Sequence, residues 1–331
     1  MKALLNTDHF GLAKAFPRTQ GKVRDIFRLG DGRLAIVTTD RVSAFDHVLP
    51  NPIPGRGIIL TRMTINWLEE LKKTIKSLTT NLPIRHHVLS TSVSDLPNQF
   101  HAFQEDLAGR LMIVEECDPI PVEFILRGNI TGSWWKEYRA LIAKDNSSTV
   151  ILHGHELPRD LQESQEFPEA LFTPSTKAAV GVHDENISVR QMVDIITDWL
   201  KGKNEWRSKA IPIVDDSIKL TKALFNTARE RAKARGIIIA DTKFELGLSL
   251  KQDDFSLVII DEVLTSDSSR FWPLDEFIVG QGQVSFDKQI IRNYLESIKW
   301  DKKPPIPSLP DEIVSRTSER YQEASTKLFE N

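Results

Sequence analysis

A chain of 331 residues, 40% hydrophobic and 27% charged, has the composition of a soluble globular protein and is too long for one ordinary core, so two lobes are expected. Its net charge of −3 argues against a nucleic-acid binder working by bulk charge, while leaving room for a locally basic pocket for small anions. No apolar run approaches the roughly 18 residues of a membrane span, the opening "MKALLNTDHFGLAKAF" lacks the apolar core of a signal peptide, and a lone cysteine, Cys117, excludes an internal disulfide or a cysteine-built metal cluster. A cytoplasmic protein without membrane or nucleic-acid partners is expected.

The first ~115 residues read as short strands with turn punctuation. "GRLAIVTTD" follows the turn "GDG", and "RLMIVEECD" is a second strand. Between them, "ILTRMTINWLEELKKTIKSL" has apolar residues at helical spacing. "CDPIPVEF", with two prolines, reads as a connector between an N-terminal lobe, residues 1–116, and a larger C-terminal lobe, residues 117–331. "TGSWWKEYRAL" predicts a helix start after small residues. A long polar stretch from about Asn146 to Asn186 reads as a functional or disordered loop. "SVRQMVDIITDWL" and "IKLTKALFNTARERAKAR" are amphipathic helices, the second stopped by Gly236, and "PPIPSLP" leads into a last helix from Asp311.

The unusual segment is "IIIADTKFELG", where an apolar strand ends in Asp241, Lys243 and Glu245. At a spacing of two these project from one strand face, and burying such a row costs several kcal/mol unless partners compensate. "TKFELGLSL" and "FSLVIIDEV" form a hairpin across "KQDD"; a turn centred on Asp253 sets Glu245 opposite Asp261. Facing carboxylates repel, and a divalent cation with oxygen ligands such as Mg²⁺ would reverse that sign. A solvated charge ladder gives the same pattern, and a one-residue shift of the turn would move Asp261 to the other face.

Other segments offer anion sites. In "QGKVRDIF", Lys22 and Arg24 follow Gly21 into a strand and can cover phosphates, although a solvated edge strand looks alike. In "VEFILRGNITGSWW", Arg127 precedes Gly132 and Ser133 at a helix start, the parts of a phosphate site; Ser133 as a plain N-cap is the alternative. "TSDSSRFW" packs Asp267, Ser268 and Arg270 together. His153 and His155 lie in a Pro/Gly-rich surface turn, His86 and His87 face opposite ways, and no Gly-x-Ser-x-Gly elbow is present, so nucleophilic catalysis has little support.

In order along nearly the whole chain, "GKVRDIF", "TTDRVSAFDHVLPNPIPGRG", "PVEFILRGNITGS", "FTPSTKA", "HDENIS", "ADTKFELG", "IDEVLTSDSSRFW" and "FDKQIIRNYLESIKWDKKPP" resemble the SAICAR synthetase family. Four positions depart from its usual pattern: Trp134, Asp160, Val182 and Ser266. The resemblance implies an α+β, two-lobed fold with a kinase-like antiparallel N-terminal lobe and a larger α+β C-terminal lobe. It also implies an ATP-dependent carbon–nitrogen ligase that joins L-aspartate to 5-aminoimidazole-4-carboxylate ribonucleotide (CAIR), with Mg²⁺, through an acyl phosphate. Carried over residue by residue, Glu245 and Asp261 hold the metal, and Lys22 and Arg24 cover the nucleotide phosphates with Lys243 beneath. Glu115, Cys117 and Glu123 belong to the adenine hinge. Arg127, Ser133 and Arg270 hold the CAIR phosphate, with Lys177, Asp184, Asp267 and Ser268 on the substrate side, and Lys177, Asp241 and Lys243 form the catalytic set. A monomer is expected. A kinase would need an "HRD" loop that the chain lacks, and a catalytically dead regulator would have little use for intact Lys243, Glu245 and Asp261.

Overall fold

The computed structural model describes residues 3–144, 147–177, 184–203 and 205–330; Asn146 and Val182 lie outside the described residues. The smaller sheet contains β1 (Arg18–Gln20), β2 (Arg24–Arg28) and β3 (Arg33–Thr38). The chain then forms helix α1 (Arg56–Ser77), strand β4 (Ile84–His86), β5 (Val88–Ser90) and β6 (Leu111–Glu115). The order β1-β2-β3-β6-β5 is antiparallel throughout. Phe27, Ala35, Val37, Leu111 and Ile113 point into one core with Phe10 and Phe100, the alternation expected of half-buried strands.

The larger sheet, to which β4 also belongs, continues at once with β7 (Cys117–Pro119) and β8 (Val122–Asn129), followed by α2 (Gly132–Ile142). The stretch read as a connector is thus sheet: β7 pairs with Gly247–Ser249, and Pro119, which has no N–H to donate, ends it. The long polar stretch is also largely structured. It holds the hairpin β9 (Thr149–Leu152) and β10 (His155–Pro158), turned by His153 and Gly154 at positive φ, then β11 (Glu166–Phe172) and β12 (Ser175–Thr176). Helices α3 (Val189–Trp199), opened by a Ser188 capping box, and α4 (Ala210–Ala234) precede the long strand β13 (Ile237–Ser249). Strands β14 (Leu257–Ile260) and β15 (Ser269–Pro273), then α5 (Gln289–Ser297) and α6 (Asp311–Phe329), complete the chain.

The main path of this eight-stranded sheet is β11-β8-β13-β14-β4, with β4 parallel to β14 and the other pairs antiparallel. The α+β fold read from the sequence is the fold observed. Helix α1 lies early in the sequence, yet Leu60, Met63, Trp67, Leu68 and Leu71 bury into the larger core with α4 and α6. Their i, i+3/i+4 spacing makes one apolar stripe that needs the larger sheet's helices as partners. No described helix is long and apolar enough to cross a membrane.

Strand β13 changes phase within itself. Ile237 and Ile239 enter the core, and beyond them Phe244, Leu246 and Leu248 do. Odd residues point inward before Ala240 and even residues after it. The cause is a β-bulge: Ile239 pairs with Phe271 but Asp241 with Arg270, so Ala240 is an extra residue. Asp241, Lys243 and Glu245 are thereby turned away from the core that Ile237 and Ile239 occupy.

A buried ionic centre ties the β14–β15 loop to α1 and to the C-terminal helix. Asp267, in the β14–β15 loop, is bound by the Arg56 guanidinium at the start of α1, by the Tyr321 hydroxyl of α6 at 2.7 Å, and by Lys288 at 3.5 Å. Burial alone would raise its pKa, but Arg56 and Lys288 outweigh that and hold the carboxyl well below the usual range. Tyr321→Phe removes one donor from a buried charge and should cost about 1–3 kcal/mol. The denaturant midpoint would report it, and an unshifted midpoint would show that the hydroxyl compensates nothing.

Candidate active site

The register of the β13–β14 hairpin differs by one residue from that expected. Glu245 pairs with Ile260, not Asp261, because the loop is held by Asp254, which bonds the Ser249 hydroxyl at 2.9 Å, the Ser256 hydroxyl at 2.5 Å and Arg85 at 2.6 Å. Asp261 lies just past the strand in the left-handed region, φ 60°. Asp tolerates that conformation, which re-aims its side chain. Its carboxylate meets the charge cluster despite the shift: Arg24 of β2 bonds Asp261 at 2.5 Å and Glu262 at 2.9 Å.

Around them, Lys243 bonds Glu123 of β8 at 2.5 Å and Glu245 at 3.5 Å, and Lys177 bonds Glu245 at 2.5 Å. Burial opposes charge at each of these groups, and the partners decide the outcome. For Lys243, Glu123 and Glu245 raise the pKa; for Glu245, Lys177 and Lys243 lower it; for Arg24, Asp261 and Glu262 raise it. Glu123 is different. Burial, with Asp184 and Glu245 adding to it, outweighs Lys243 and leaves its pKa raised. The carboxylates Glu123, Glu245, Asp261 and Glu262 therefore exceed what Arg24, Lys177 and Lys243 neutralise.

That excess fits a cation. Glu245 and Asp261 offer the hard oxygens Mg²⁺ prefers, and Mg²⁺ commonly takes one or two carboxylates together with substrate phosphates and water. Among the described residues, no group of three or more His, Cys, Asp or Glu forms a metal cage.

A second cluster lies two residues back along β13. Asp241 is flanked in register by Arg127 of β8 and Arg270 of β15. Arg127 bonds one Asp241 oxygen at 3.0 Å, and Arg270 bonds the same oxygen. Asp241 raises the Arg270 pKa, whereas burial pushes Arg127 down to about 10, so Arg127 loses more hydration than Asp241 returns. The start of α2 adjoins them: Gly132 has φ 62°, and a Cβ there would come within 2.7 Å of Arg270 Nη2. Two guanidiniums, one carboxylate and a helix N-terminus make an anion cradle. Ser133 is exposed at that helix start and its side chain does not cap the helix.

The other expected residues are distributed. Lys22 pairs with Asp46 at 2.7 Å at the cleft rim. The Glu115 carboxylate is taken up by Arg85 at 2.7 Å and Lys251 at 3.1 Å, apart from the Lys243 set. Burial pushes the Cys117 thiol up to about 12, which makes it a poor nucleophile. Ser268 contributes its carbonyl, which accepts from Lys243 N–H at 3.0 Å, while Asp267 is enclosed in the ionic centre. Sequence reasoning missed Glu262, Arg56, Lys288 and Tyr321; only Glu262, beside Asp261, had a local signal. The cavity of about 380 Å³ beside β7, lined by Asp118, Lys203, Trp206 and Lys251, and the groove of about 770 Å³ along α3 both miss the two clusters. Charge rather than cavity volume marks the site.

The sequence model of the SAICAR synthetase family matches residues 17–307. The chain belongs to the SAICAR synthetase family. It is 42% identical over 313 residues to the phosphoribosylaminoimidazole-succinocarboxamide synthase of Maridesulfovibrio salexigens, covering 95% of this chain and 93% of that one. Among solved structures it is similar to the SAICAR synthase of Saccharomyces cerevisiae complexed with SAICAR, at 35% identity and a TM-score of 0.77, covering 100% of this chain and 98% of that one. A type-2 SAICAR synthetase in complex with ADP, 18% identical with a TM-score of 0.62 over 95% of this chain and 98% of that one, shares the fold. Membership makes the chain a ligase.

Gly132→Ala adds a methyl group where Arg270 lies and strains a left-handed position. Displacing one charged hydrogen-bond partner should weaken a phosphate-bearing substrate about tenfold or more, with the circular dichroism spectrum unchanged. An unaltered Michaelis constant for that substrate would remove Arg270 from the cradle.

Proposed function

We propose that the cleft joins L-aspartate to CAIR at the expense of ATP, forming SAICAR in purine biosynthesis. The observation that carries this reading is the arrangement on one face of β13. An anion cradle at Asp241 and a phosphoryl-type set at Lys243 and Glu245 stand up to about 13 Å apart on one rigid strand, at ~3.3 Å per residue. A substrate with a phosphate at one end and a carboxylate at the other spans such a pair. Family membership supports the same ligation.

In this reading Arg127, Arg270 and the α2 start with Ser133 hold the CAIR phosphate, and Asp241, whose one oxygen both guanidiniums share, offsets their mutual repulsion. Lys243, fixed by Glu123 and by its own N–H on Ser268, keeps its proton and meets the developing charge of the transferred phosphoryl group. Arg24, on the smaller sheet, and Lys22, in the turn before it, cover the nucleotide phosphates. Glu245 and Asp261 would hold Mg²⁺, which when bound shields phosphate charge.

A carboxylate is a poor acyl donor to an amine. Phosphorylating the CAIR carboxylate makes a leaving group; the aspartate amine then forms the amide, and phosphate departs with one carboxylate oxygen. Lys177 and Asp184 lie on the side where that exchange occurs. We assign Asp267 an indirect part, since its carboxylate is enclosed by Arg56, Tyr321 and Lys288 and it anchors the loop that leads into the strand of Arg270. Glu115, Cys117 and Glu123 border the nucleotide side, with Glu123 acting through Lys243.

Replacing Glu245 by Gln or Asp261 by Asn should reduce turnover at least about a hundredfold and leave the unfolding midpoint nearly unchanged. Near wild-type activity of either variant at limiting Mg²⁺ would refute the ligand assignment. The phosphoryl-transfer step has its own signature. CAIR labelled with ¹⁸O in its carboxylate should yield labelled inorganic phosphate, and unlabelled phosphate from a full turnover would refute transfer to that carboxylate.

A further inference from the structure

Arg127 is the cradle cation with least electrostatic return, and an aromatic ring packs against it. Trp134, two residues past Gly132 on α2, is fully buried, and the Arg127 Cζ lies over its ring at 5.1 Å from the centroid. Thr173 Oγ1 accepts from Arg127 Nε at 3.1 Å and Asp241 from Nη1 at 3.0 Å. With Nε and Nη1 engaged and the indole packed against the group, Nη2 is what remains for an anion among the described contacts.

The indole is itself clamped from three directions. Its N–H donates to Asn186 Oδ1 at 3.5 Å, and the rings of His153 and His155 lie 5.6 Å away. Those histidines are fixed in turn: His153 on Glu137 at 2.5 Å, His155 on the Phe172 carbonyl at 3.0 Å. Asn186 bridges to Ser175 in the strand that leads to Lys177. The β9–β10 hairpin thus serves as a buttress for the indole behind Arg127.

We propose that Trp134 is a positioning residue for the substrate phosphate, setting the plane of the Arg127 guanidinium by stacking on it. The idea rests on the reading of Arg127 and Arg270 as the CAIR phosphate cradle. The chemistry favours an indole here. Tryptophan gives the strongest cation–π attraction, more so when the pair is desolvated, and it stabilises the cation without neutralising it. An acidic residue in its place would compete with the phosphate, and an aliphatic one would leave the guanidinium free to tilt.

The test uses the full-length enzyme with CAIR and with the nucleoside that lacks its phosphate. Trp134→Leu should raise the KM for CAIR about fivefold, with kcat and the KM for ATP within about twofold of wild type. It should leave kcat/KM for the nucleoside unaltered, and Trp134→Phe should recover most of the loss. If Trp134→Leu folds poorly, the Phe variant alone should still show a smaller rise confined to the phosphorylated substrate. Equal losses on nucleotide and nucleoside, or no change on either, would overturn the proposal. Arg127→Ala separates the two levels: a raised KM for CAIR there with none in Trp134→Leu sinks only the positioning role, while an unchanged KM in Arg127→Ala sinks the cradle itself.

Discussion

One extra residue, Ala240, determines what the larger sheet can do. A strand with strict alternation would send Asp241, Lys243 and Glu245 into the core with Ile237 and Ile239, where several kcal/mol of desolvation would oppose each charge. The bulge shifts the phase by one, so that Phe244, Leu246 and Leu248 continue the core while the charges face the cleft. The strand is therefore buried on one face along its length without burying its chemistry there. Its neighbours β8 and β15 flank Asp241 with an arginine on each side.

The second constraint is that the charges belong to different sheets. Arg24 is on the smaller sheet, and Asp261 and Glu262 follow the last residues of β14 in the larger one. His87 links the sheets through the backbone, donating to Ile259 O at 3.0 Å and accepting from Glu115 N–H at 2.8 Å. The distance between Arg24 and the carboxylates is therefore fixed by sheet-to-sheet hydrogen bonds and by α1, whose apolar stripe lies in the larger core. A site of this kind needs such rigidity, because catalysis by positioned charge loses its advantage once the charges reorganise.

What could be read from the sequence follows the range of the interactions involved. Helices α1, α4 and α6 and strand β3 were legible because periodicity and caps are local. The face shared by Asp241, Lys243 and Glu245 was legible from spacing alone, whereas the bulge that orients it depends on pairing with β15, nearly thirty positions onward. The hairpin register was missed by one residue since Asp254 sets the loop by bonding Arg85, far away in the chain. The left-handed turn at Asp261 then recovered the expected proximity by another route. Pro119 and Pro121 suggested a break, yet β7 needs few donors at its short pairing with Gly247–Ser249. The ionic centre of Asp267 draws on four distant segments and left no local trace beyond its own Asp.

An acid in the middle of an anion cradle needs a physical reason. Without Asp241, Arg127 and Arg270 would be two cations side by side with little water, and Arg127 already suffers from burial with Asp241 present. The carboxylate makes that pair tolerable in the fold and leaves a net charge of about one plus the helix start. A dianionic phosphate would then be bound firmly but not overcompensated. In the proposed reading the substrate's own charge would complete the balance, so that the site could both hold a phosphate and release it. The same logic governs Glu123 and Glu245, where carboxylates exceed their cations. One end of β13 is left short of negative charge and the other short of positive, and that opposition gives the strand its polarity.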